Sequence, residues 1–116
     1  MTTITFYKRD GVYYGFRESG HAGFASAGDD IVCSALSAMT MLVVNAIEVS
    51  FESNVEYIID EESADITVMA RSALEEFEDD EKVRYAISGL IRGYFVQLTD
   101  MAEEYYKYIK VEEKED

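Results

Sequence analysis

Proline is absent from the 116 residues, and no Gly/Ser-rich stretch takes its place as a linker. Nothing marks a domain boundary, so residues 1–116 read as one domain with room for a single core of two layers. Cysteine and histidine occur once each, as Cys33 and His21. A lone cysteine forbids an intrachain disulfide, and the two residues cannot build a Cys/His zinc site; no cofactor is expected. Basic side chains are scarce, with 10 Lys plus Arg against 24 Asp plus Glu and a net charge of −14. Nucleic acid and anionic membrane repel such a surface, whereas a basic protein or peptide meets it readily. The longest apolar stretch, Ala35 to Ile47, is interrupted by Ser37, Thr40 and Asn45 and is too short to span a bilayer. Met1-Thr2-Thr3-Ile4 lacks the basic start and apolar run of a signal peptide, so a reducing cytoplasm is the expected compartment.

What is present is a globular composition, 48% hydrophobic and 13% aromatic. Thr3 to Lys8 alternate, with Ile4 and Phe6 on one face and Thr5 and Tyr7 on the other. Asp10-Gly11 is a hairpin turn signal, after which Val12, Tyr14 and Phe16 alternate again. Gly20 to Gly28 is rich in glycine and small residues and reads as a pliable loop. Asp29 or Asp30 suits a helix N-cap, and Val32, Ala35, Leu36, Met39, Leu42, Val43 and Ala46 recur at helical spacing to about Ile47. Val49 to Asp60 and Ala64 to Ala70 hold two further β-like runs around the acidic turn Glu61-Glu62-Ser63. A second helix carries Val83, Ile87, Leu90, Ile91, Tyr94, Leu98, Met101, Ala102 and Tyr105 on one face, starting near Asp79-Asp80. Its Gly89 and Gly93 lie one turn apart and would admit another backbone. Ile109 to Val111 is a candidate edge strand before a charged tail. The order ββαββα predicts an α+β fold: a two-layer α/β sandwich with a mostly antiparallel sheet and two long helices.

Among nucleophiles, Cys33 stands out by its place. With Asp29 or Asp30 as the cap it falls in the first helical turn, where free N–H groups and the helix dipole favour a thiolate. A carboxylate at roughly 8 Å opposes that charge by about 0.5–2 kcal/mol at an effective dielectric of about 20–80. The dipole returns about 0.3–1 kcal/mol, so the two nearly cancel. A protonated imidazole at about 3.5 Å contributes roughly 4–5 kcal/mol before desolvation, so His21 decides whether Cys33 is reactive. The plain alternative is a buried small hydrophobe and an ordinary surface histidine. Position 39 is Met where a phosphatase loop needs Arg, and no Gly-x-Gly-x-x-Gly or Walker pattern occurs.

Gly20-His21-Ala22, then Gly28-x-Asp30-Ile31-Val32-Cys33, then Ala35-Leu36-Ser37, resembles the signature of the ribosomal-processing cysteine protease family (Prp). The resemblance spans nearly the whole chain. It implies a cytoplasmic, homodimeric endopeptidase, the whole of 1–116 being the protease domain. Its substrate would be a large-subunit ribosomal protein that loses a short N-terminal extension during ribosome assembly. Carried over by position, Cys33 matches the nucleophile and His21 the general base. Asp30 and Ser37 match supporting polar positions, Asp30 capping the helix or orienting His21. Gly20, Ala22, Gly23, Phe24 and Gly28 belong to the loop that would cover the substrate cleft. Main-chain N–H groups at the helix start, that of Cys33 included, are the expected oxyanion donors. Two positions depart from the family: Ser34 where Ala is usual, and Lys107 after Tyr106 where Pro is common. Two other classes stand beside this one, a non-enzymatic acidic module binding a basic ribosomal protein, and a redox sensor acting through Cys33.

Overall fold

Two antiparallel strands, β1 (Thr2–Arg9) and β2 (Val12–Ser19), open the chain. The turn between them places Asp10 at φ 51° and Gly11 at φ 78°. Both central residues in the left-handed region match the twist of a two-residue hairpin, which is why Asp-Gly serves here. Helix α1 (Ala27–Asn45) follows and continues into a π-helical turn, Ala46–Ser50. Strands β3 (Glu56–Ile59) and β4 (Ile66–Met69), helix α2 (Glu81–Glu104) and strand β5 (Ile109–Glu115) complete the chain. This computed structural model describes the backbone of residues 1–20 and 27–116, and the side chains of 1–20 and 31–116.

The five strands lie in the order β3-β4-β2-β1-β5. All neighbours are antiparallel except β1 and β5, which run parallel with Thr2 opposite Ile109 and Lys8 opposite Glu115. The fold is the expected α+β sandwich with two long helices, but with five strands in a mixed sheet. The fifth strand takes up the charged tail, which extends well past Val111. Past Val111 it has no apolar alternation to announce it, because it forms an edge whose side chains reach neighbours by polar contacts. Tyr13 donates to Glu113, and Tyr14 donates to Asp116 at 2.9 Å. Arg9 holds Asp116 as well, and its charge helps to keep that carboxyl below the usual range.

The hairpin register shifts between Tyr7 and Lys8. This bulge breaks the alternation read from the sequence. Phe16 packs on Phe6 (ring centroids 5.5 Å apart), but Tyr14 lies against Tyr7 on the opposite face, and Tyr13 stacks on Phe95 of α2 instead. An extra residue in one strand turns every later side chain over. Gly15 lies beside β4, opposite Met69, where a methyl group would come within 2.7 Å of the Val68 carbonyl oxygen. Between β3 and β4, Asp60 accepts from the N–H groups of Glu62 (2.9 Å) and Ser63 (3.1 Å), closing the acidic turn.

The core lies between sheet and helices. Ile4, Phe6, Phe16 and Val68 from the sheet meet Val32, Leu36 and Ile47 of the first helical segment and Ile87, Ile91 and Leu98 of α2, all essentially inaccessible. Asp80 caps α2, accepting from the Lys82 N–H at 2.9 Å, as the acidic pair before the helix implies.

Two expectations about the helices need correction. Ile31–Ser50 forms a helical stretch of 20 residues with mean hydropathy 1.8, long and apolar enough by length and composition to cross a bilayer. The sequence limit of Ala35 to Ile47 was too narrow, because Ile31–Cys33 and the π turn prolong it. Its inner side nevertheless packs on the sheet. Gly89 and Gly93 do not receive another backbone: a methyl group at either would meet nothing within 4 Å. They floor an open apolar groove of about 320 Å³ between α1 and α2, lined also by Met39, Leu42, Val43 and Tyr94.

Candidate active site

Helix α1 is described from Ala27 onward, so Asp29 and Asp30, the expected caps, are themselves helical. Ala27 and Gly28, read from sequence as the end of the loop, are therefore helical. Cys33 becomes the seventh helical residue, about 9 Å along the axis from Ala27. This changes its electrostatics. A helix leaves its first four N–H groups without intrahelical acceptors. With the helix already formed at Ala27, Cys33 lies at least six residues inside it, so its N–H belongs to the hydrogen-bonded ladder and not to the free donors. The dipole also fades beyond the first turn, leaving any activation of the thiol to a neighbouring charge.

The Cys33 side chain is half-buried at the edge of the face that Val32 and Leu36 turn to the core. Ser37, one turn on, is exposed. Gly20 ends β2 at φ 84°, and a methyl group there would come within 2.6 Å of the Met1 carbonyl oxygen. Both the backbone angle and the close approach require glycine at this exit. His21, Ala22, Gly23 and Phe24 lie outside the described residues, and Gly28 and Asp30 are described by backbone alone. The exit of β2 and the Cys33 side chain are thus placed, and the histidine follows that exit in sequence.

A group that the sequence reading did not single out lies beneath this region. Glu18, next to last in β2, is only 1% exposed. Thr40 Oγ1 of α1 donates to its Oε1 at 2.5 Å, and the Tyr94 hydroxyl of α2 donates to the same oxygen at 2.9 Å. Burial, reinforced by the Glu18 charge, drives the Tyr94 phenol far above its usual range, so it remains a donor. The available signal was phase, since Glu18 is in step with Phe16 and therefore faces the helices.

The chain belongs to the cysteine protease Prp family, whose model matches residues 1–110. No curated protein matches it. Among solved structures, SMU.848 from Streptococcus mutans is similar, with a TM-score of 0.80 and 28% identity over 100% of this chain and 99% of that one. The essential ribosomal processing protease Prp from S. aureus, in complex with a substrate peptide, gives a TM-score of 0.78 and 22% identity over 98% of this chain and all of its own. The same protease with a covalently linked product peptide gives 0.74 and 23% over the same shares.

Proposed function

We propose that this chain is a cysteine endopeptidase in which Cys33 is the nucleophile and His21 the general base. Its substrate is a large-subunit ribosomal protein bearing a short N-terminal extension, cleaved in the cytoplasm during ribosome assembly. The observation that carries the reading is the family match over residues 1–110, which embraces the whole Gly20–Ser37 motif. In the proposed sequence of steps, His21 takes the thiol proton and the thiolate attacks the scissile carbonyl. The tetrahedral adduct collapses to a thioester as His21 protonates the departing amine, and water then releases the acid. Free N–H groups of the first turn of α1 are the candidate oxyanion donors. Asp30 is assigned a supporting role, as is Ser37 one turn beyond the thiol, and the segment holding Gly20, Ala22, Gly23, Phe24 and Gly28 is assigned to the extended apolar leader. The net charge of −14 suits a basic substrate.

Incubation with the N-terminally extended ribosomal protein of the same organism is expected to release one leader peptide, identified by intact mass. Stable binding without product would instead favour the acidic binding module. Peroxide-dependent, reductant-sensitive dimers would favour the redox sensor.

The active species is proposed to be a homodimer, supported by the outer face of the first helix. Ile31, Leu42 and Val49 are 58%, 63% and 70% exposed there, beside the groove over Gly89 and Gly93. No charged residue occurs from Ile31 to Ile47, so that stretch itself brings no carboxylate to a meeting of two chains of charge −14; Glu48 lies at its end. In sedimentation equilibrium the native chain should run at twice the single-chain mass and Leu42→Glu at the single-chain mass. A monomeric native chain rules the dimer out.

A further inference from the structure

Glu18 occupies a place that the packing pattern reserves for an apolar side chain. It lies on the helix-facing side of β2, the central strand of the sheet, at 1% exposure. A carboxylic acid there forfeits hydration, and an apolar residue of similar size generally serves stability as well or better. Its value is geometric. One oxygen, Oε1, accepts from Thr40 of α1 at 2.5 Å and from Tyr94 of α2 at 2.9 Å, and the two hydroxyls are 3.2 Å apart. Three elements thus meet at a single directional joint.

Helix α1 needs such a joint. It is apolar on its outer as well as its inner side, and from Ile31 to Ile47 it has no charge. Hydrophobic packing is non-directional, so it sets the axial register of such a helix weakly. A slip of one turn, about 5.4 Å, exchanges one apolar set for another but parts Thr40 from a buried carboxylate. Thr40 follows Cys33 by seven residues, so the two project from nearly the same side of α1, about 10.5 Å apart along its axis. His21 follows Glu18 by three residues along the chain.

We propose that Glu18 is a positioning residue of the protease: its clamp on Thr40 and Tyr94 sets the register of α1 against β2, and hence Cys33 against the strand exit that leads to His21. The inference rests on the Cys33–His21 reading and deepens it. A buried polar joint used to fix register is the best attested role of such groups.

Because Cys33 is the sole thiol, its alkylation by iodoacetamide at pH 7, followed by intact mass, reads its reactivity without a substrate. Glu18→Met should slow alkylation about tenfold or more, since a thiol parted from its general base is the poorer nucleophile. Thr40→Val and Tyr94→Phe, which keep shape and remove one donor each, should slow it severalfold. Glu18→Gln should regain most of the rate lost in Glu18→Met, because the amide oxygen still accepts both hydroxyls. Circular dichroism verifies folding, and if Glu18→Met does not fold, the two donor variants carry the test. Unaltered alkylation in folded Thr40→Val and Tyr94→Phe, or a Glu18→Gln as slow as Glu18→Met, overturns the clamp. His21→Ala separates the two levels: slowed alkylation there with unaltered donor variants defeats the clamp alone. Unaltered alkylation in His21→Ala defeats the dyad, and the clamp with it.

Discussion

Cys33→Ala is expected to lower kcat/KM on a peptide spanning the leader junction by about 10⁴-fold or more, while the thermal midpoint stays near that of the native chain. The magnitude follows from what is removed. Without the sulfur no thioester can form, and only substrate binding and the free N–H groups of the first helical turn remain. Folding should survive because Cys33 is half-buried and the substitution deletes a single heavy atom beside Val32 and Leu36. Such changes outside the packed core usually stay within about 1 kcal/mol. Cys33→Ser should be nearly as inactive, since a hydroxyl is far less acidic than a thiol and needs a stronger base. Steady-state kinetics and a thermal melt on the three proteins decide it, and substantial turnover by the alanine variant would remove Cys33 as nucleophile.

The placement of that cysteine gives the prediction its physical interest. Had α1 begun at Asp29 or Asp30, free backbone donors would have shared in stabilising the thiolate. With the helix already formed at Ala27, Cys33 stands beyond the first turn, and the acidic pair Asp29-Asp30 precedes it within the helix. In the proposed dyad the proton acceptor is then the imidazole alone.

How much of this was legible in the sequence depends on what each element relies on. Asp10-Gly11 and the long apolar faces of both helices are local signals, and they gave the hairpin and the helices directly. The bulge at Tyr7/Lys8 is set by pairing between strands, so the alternation of Val12, Tyr14 and Phe16 was misleading. Strand β5 was half visible because its outer residues, Glu112 to Glu115, are charged, and their strand character comes from β1. Position 18 was legible in phase but not in meaning, for only the packed structure brings Thr40 and Tyr94 to one carboxylate oxygen. The motif residues were legible through resemblance, which reports chemistry directly and leaves geometry to the fold.

The largest loss of stability is expected from Phe6→Ala. Phe6 is fully inaccessible, in the sheet's inner face one strand from the edge. Its ring meets Phe16 at 5.5 Å, Tyr94 edge-on at 5.7 Å and Phe95 edge-on at 5.3 Å. Removing a core phenylalanine costs about 3–5 kcal/mol through lost burial and the cavity left behind. That is a large share of the roughly 5–15 kcal/mol available to a small domain. Relaxation into the cavity is limited here, because Phe6 stands opposite Phe16 in the β1–β2 ladder and the surrounding rings are held by both the strand and α2. Phe6→Leu, which refills most of the space, should lose markedly less. Urea unfolding of the three proteins measures this, and a Phe6→Ala midpoint equal to that of the native chain would mean the aromatic cluster does not anchor α2 to the sheet.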